Sequence, residues 1–87
     1  MTAREDQLGQ DLQALADRRG WSKEDWCERG VYMHLEVSEL IEAIRGKGDP
    51  LHEAGDVLVT FTGLLVLAGL SWDDVVTRAE HNLKEKM

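Results

Sequence analysis

The chain has 87 residues, enough for one small domain that buries only about 60–65% of its unfolded surface, so a lone monomer is marginal and partner subunits are expected. Asp and Glu outnumber Lys and Arg by 17 to 10, the net charge is −7 and no basic run stands out, which excludes a duplex nucleic-acid surface because phosphate contacts need clustered positive charge. A single cysteine, Cys27, forms no internal disulfide, no basic-then-apolar leader is visible, and the longest uncharged run, residues 57–72, falls short of the ~20 needed to span a bilayer. A cytoplasmic protein that crosses no membrane is expected.

Each segment opens on a helix-start signal and no window alternates strictly, so the expected fold is all-α, a four-helix bundle-like single domain assembled into an oligomer. Thr2-Ala3-Arg4-Glu5 fits a capping box, and Leu8, Leu12, Leu15 and Ala16 form the apolar stripe of a first helix that Gly20 ends. Ser22 ahead of Glu24 and Asp25 starts a second helix, expected over residues 23–45 and stopped by Gly46. On it Met33, Val37, Leu40, Ile41 and Ile44 share one arc and Val31 and Leu35 another, with Tyr32, Glu36, Glu39 and Ala43 between them. Asp49 caps a third helix with Pro50 at its first position, where a missing amide hydrogen costs nothing. After Asp56 that helix is apolar on every face up to Gly69, which marks it as the centre of a subunit interface. Ser71 caps a fourth helix striped by Trp72, Val75, Val76, Ala79 and Leu83.

The chemistry concentrates between Glu36 and Asp56. Carboxylates three apart on a helix differ by about 60° in direction, so Glu36 with Glu39, and Glu53 with Asp56, can each aim at one object. Either pair alone reads as a solvated face, as Asp25/Glu28 and Glu39/Glu42 do at the same spacing. Two pairs on consecutive helices across a short capped turn, flanked by apolar surface, are a different matter. Acids so placed repel unless a cation lies between them, and oxygen donors suit a hard divalent ion such as Mg²⁺. Glu-x-x-His, His-Glu-x-x-His and glycine-rich phosphate-loop patterns are absent. Trp21, Trp26 and Trp72, each near a helix start, read as packing residues, the histidines as edge residues, and Tyr32 as the aromatic best placed to touch a substrate.

The ordered pattern E-x-x-E, spacer, E-x-x-D, followed by the apolar helix and the ending Glu80-His81-Asn82-Leu83-Lys84, resembles the MazG-type all-α nucleoside triphosphate pyrophosphohydrolases over about residues 31–86. The resemblance implies that Glu36, Glu39, Glu53 and Asp56 are metal ligands for Mg²⁺, with Mn²⁺ able to substitute. It also implies that a nucleotide is cleaved to the monophosphate and pyrophosphate, and that Asn82 and Lys84 contact its phosphates. Bound metal would invert the repulsion between an anionic substrate and four carboxylates. Either Glu39 or Glu53 is the alternative for a base that takes a water's proton. A homodimer or homotetramer is the implied assembly. The final helices also resemble phosphoribosyl-ATP pyrophosphohydrolase, and a non-catalytic helical assembly module is the rival from another class.

Overall fold

The computed structural model describes residues 3–87, and among them every regular element is helical, as expected. Helix α1 spans Ala3–Arg19, α2 Lys23–Val31, α3 Met33–Glu42, α4 Pro50–Ala68 and α5 Trp72–Lys86, and a π-type turn, Ala43–Lys47, closes α3. The expected Thr2 cap lies outside the described residues. The other caps form. Ser22 Oγ accepts from the Asp25 amide at 3.2 Å while Asp25 Oδ2 accepts from the Ser22 amide at 2.8 Å. Asp49 Oδ1 accepts from the Leu51 amide at 3.0 Å, and Ser71 Oγ from the Asp74 amide at 3.1 Å.

One expectation needs correction. The helix predicted over residues 23–45 is two helices that meet at Tyr32, whose φ of −86° and ψ of 2° leave the helical well. The Tyr32 carbonyl accepts from the amides of both Leu35, at 3.0 Å, and Glu36, at 3.1 Å, so the chain tightens and re-aims there. The physical reason is close packing upstream. A Cβ at Gly63 would fall on the Trp26 ring, and one at Gly30 would lie 2.6 Å from Leu64 Cδ2. These two glycines let α2 seat directly on α4, and α3 leaves that contact in its own direction. Gly46, at φ 96°, then turns the chain toward the Asp49 cap, a conformation that costs a side chain and is free to glycine.

Helix α4 is central, packing on α3, α1 and α2. Leu12, Ala16 and Trp26 form the core cluster, with Leu8, Trp21 and Leu67 against it, so the stripe predicted for α1 does face inward. By length and composition alone α4 could cross a membrane. It packs on three other helices, carries two acids in its first two turns, and has 17% of its apolar window buried within the chain.

The single chain is under-packed. Its accessible surface is 6507 Å², against about 5,200 Å² for a folded monomer of its mass. Its Cα radius of gyration is 14.3 Å, against about 12 Å for a compact domain of this length. The surplus is apolar in part, since Val31, Leu35, Ile41, Ile44, Leu51 and Leu83 are all exposed. Helix α5 stands furthest out: it buries no residue, and its attachment runs through Trp72, edge-on to Phe61 at 5.4 Å.

Candidate metal centre

The fold brings carboxylates of α3 and α4 together. One oxygen each from Glu36, Glu39 and Glu53 lie within 4.8 Å of one another. The break at Tyr32 and the turn through Gly46 make this possible, because they lay the start of α4 back along α3. No Lys or Arg among the described residues is in ion-pair range of these three acids. Glu53 Oε2 is buried and has no hydrogen-bond partner. The Glu53 carboxyl is held above the ordinary carboxylate range, first by desolvation and then by the charge of Glu39; Asp56 and a side-chain hydrogen bond with Glu39 add to the rise, and His52 works the other way.

Asp56 occupies a second, overlapping group. It joins Glu53 and His52 within the same 4.8 Å limit, and His52 Nε2 lies 3.4 Å from Asp56 Oδ2 across one turn of α4. Glu53 is thus common to both groups. A buried carboxylate oxygen without a donor, facing two further carboxylates, is a costly arrangement that a divalent cation relieves, and an all-oxygen donor set fits Mg²⁺ or Mn²⁺. The residues present therefore fit the ion that the motif implies. His52 was not singled out in the sequence; its spacing of four from Asp56 is the signal that finds it.

A cleft of about 490 Å³ opens beside this centre, with Glu36 in its wall. Leu12, Trp26 and Leu64 form its apolar floor, and Tyr32 and Leu35 stand at the break between α2 and α3. Trp21 closes it, packed edge-on against Trp26 with ring centroids 5.2 Å apart. The Arg29 guanidinium carbon sits 3.7 Å from the Trp21 ring centroid, and that of Arg19 sits 5.7 Å from it. Tyr32 thus shares a cleft with Glu36, a carboxylate of the candidate centre. Trp26 is a core residue, while Trp21 both packs and faces the cleft.

Comparison with known proteins finds no matching family model, no matching curated protein and no matching solved structure. The site's chemistry must be argued from its own geometry.

The remaining candidates lie elsewhere. Asn82 lines a shallow groove made by Leu70 and α5 residues such as Asp74, Val75 and Arg78, and none of the four carboxylates belongs to it. Lys84 is exposed in the last turn of α5. Within one chain, neither residue is brought to the acids by the fold.

Proposed function

We propose that this chain is an Mg²⁺-dependent nucleotide pyrophosphohydrolase, which adds water across the α–β phosphoanhydride of a nucleoside triphosphate and releases the monophosphate and pyrophosphate. The observation that carries the reading is the convergence of Glu36, Glu39 and Glu53 without a cation partner, one buried oxygen of Glu53 having no donor at all. Glu36 and Glu39 from α3, and Glu53 and Asp56 from α4, would hold the ion, with His52 against Asp56. When bound, such an ion polarises the scissile phosphoryl group and makes a nucleophile of water at neutral pH. Glu39 or Glu53 would alternatively serve, in place of a ligand, as the base that takes the water's proton. The adjoining cleft, apolar and aromatic with Tyr32 at its edge, receives the nucleoside. Nucleoside triphosphates and Mg²⁺ set the reaction in the cytoplasm, where it would serve nucleotide-pool cleaning.

The working form is a homo-oligomer, a dimer or tetramer. The surface surplus over a compact monomer, about 1,300 Å², is of the size that each protomer gives up in a substantial obligate interface. Its apolar patches lie on α3, α4 and α5. A neighbour docked there would cover the α5 stripe and could carry its own Asn82 and Lys84 toward the phosphates. A purely structural assembly would bury the same patches, but it gives no reason for an unpartnered carboxylate oxygen between two helices.

The test is pyrophosphate release from canonical and modified nucleoside triphosphates and phosphoribosyl-ATP, with Mg²⁺ and with chelator, beside a Glu39→Ala, Asp56→Ala double variant. Metal-dependent release that the double variant lacks supports the proposal. Turnover of phosphoribosyl-ATP alone would assign the histidine-pathway reaction instead. Silence from folded, oligomeric protein would leave the assembly module.

A further inference from the structure

The two arginines over Trp21 have no role in the chemistry above, and their placement is informative. Neither Arg19 nor Arg29 is within ion-pair distance of an acid among the described residues. Asp25, which shares a neighbouring depression with Glu28 and Arg29, is committed to the Ser22 capping box. In a chain of net charge −7, two uncompensated guanidiniums stacked about one indole are an arrangement that invites a ligand. The Arg29 guanidinium carbon is at stacking distance from the ring, and a guanidinium stacked on an aromatic face keeps its N–H fork for bidentate pairing with two adjacent acceptors in a plane.

Arg29 belongs to α2 and Glu36 to α3, on either side of the break at Tyr32, and the two line the same cleft with no ion pair between them. Phosphates held at the acids therefore lie on the α3 side of the cleft, and a base lying along it toward α2 meets the Arg29 edge. Guanine presents O6 and N7 as adjacent acceptors, whereas adenine presents N7 beside the N6 amine, whose hydrogens would face the donors of Arg29.

Resting on the nucleotide reading above, we propose that Arg29, flanked by Arg19 on the Trp21 face, reads the base, and that the substrates are 6-oxopurine nucleoside triphosphates of the guanine class. A bidentate Arg contact discriminates by about tenfold or more. The experiment is kcat/KM with Mg²⁺ for GTP, ITP, 7-deaza-GTP, ATP, CTP and UTP. GTP and ITP, which share O6 and N7, should exceed ATP by about tenfold or more, and 7-deaza-GTP, which lacks the N7 acceptor, should fall toward ATP. Arg29→Met should collapse the GTP to ATP ratio to within about threefold, and Arg29→Lys should not restore it, because an ammonium is a point charge. Retention of the Mg²⁺-induced rise in Tm shows that the metal centre of each variant is intact. Turnover with no guanine preference, a preference for CTP, or full use of 7-deaza-GTP overturns this inference and leaves the pyrophosphohydrolase reading standing. No turnover of any triphosphate overturns both. The nucleotide series on the unaltered protein decides the matter even where an Arg29 variant fails to fold.

Discussion

Two glycines of α4, eight residues apart, are predicted to respond in opposite directions to the same added methyl group. Gly55 lies between Glu53 and Asp56, and a Cβ built there meets nothing within 4 Å. Gly55→Ala therefore keeps only the helix-propensity gain and should stabilise the protein by about 0.5–1 kcal/mol. At Gly63 the same gain is set against a collision. The new Cβ would lie 2.9 Å from Trp26 Cη2 and closer still to Cζ3, and Trp26 is buried and braced by Trp21. An indole cannot yield as a flexible side chain does, so the cost falls at the upper end of the roughly 1–3 kcal/mol of overpacking. The net loss is about 2 kcal/mol, or a Tm lowered by about 8–16 °C in a domain of this size. Thermal unfolding by circular dichroism at fixed protein concentration gives both numbers. A Gly63→Ala protein as stable as Gly55→Ala would refute the claim that α2 is seated on α4 through this glycine. It would also remove the explanation for the break at Tyr32.

Glu53→Gln should raise the Tm of the metal-free protein, because it removes a charge that is desolvated and repelled by Glu39, and should abolish the stabilisation given by Mg²⁺. The raised carboxyl also sets a pH dependence. The folded state holds the Glu53 proton more tightly than the unfolded state, so stability falls as pH rises from the ordinary glutamate value, about 4.3, through the raised folded value. Metal-free protein should thus gain Tm on mild acidification from neutral pH, Glu53→Gln should flatten that limb, and a Tm that only falls on acidification would contradict the assignment. Thr62 is 1% exposed and its Oγ1 has no hydrogen-bond partner. Thr62→Val, which swaps that hydroxyl for a methyl, should stabilise by about 1–2 kcal/mol in urea titration; a loss would mean that the hydroxyl has a partner in solution.

Much of this arrangement was legible in the residues. Ser22, Asp49 and Ser71 act through local hydrogen bonds that need no tertiary context, and each cap forms where the sequence puts it. Glu36, Glu39 and Glu53 converge because a three-residue spacing on each helix and a short turn leave few other outcomes. The break at Tyr32 was not legible, because its cause lies some thirty residues away in the contacts of Trp26 with Gly63 and Gly30 with Leu64. The guanidiniums over Trp21 escaped notice for a similar reason: Arg19 ends one helix, Arg29 nearly ends the next, and only the turn between them folds both onto the same ring. The stripe of α5 was readable as a pattern, but how far it is covered was not: Trp72, Val75 and Val76 are half-buried within one chain, while Ala79 and Leu83 stay exposed.

The break at Tyr32 is where these features meet. A straight helix over residues 23–45 would have to satisfy two demands with one axis, laying Trp26 and Gly30 against the middle of α4 and Glu36 and Glu39 against its beginning. Helices pack side by side at a preferred crossing angle, so one straight rod touches another closely only over a short stretch. Re-aiming the chain at Tyr32 lets the same partner helix be contacted twice, once by apolar packing and once by acids. The cleft opens beside those two contacts, and Glu36 of α3 and the Arg29–Trp21 pair both line it. A substitution that straightened the junction would therefore change both ends together: the carboxylates would part and the cleft would narrow. On the proposed function, metal affinity and base selectivity would be coupled through this junction, although Tyr32 belongs to neither candidate carboxylate group.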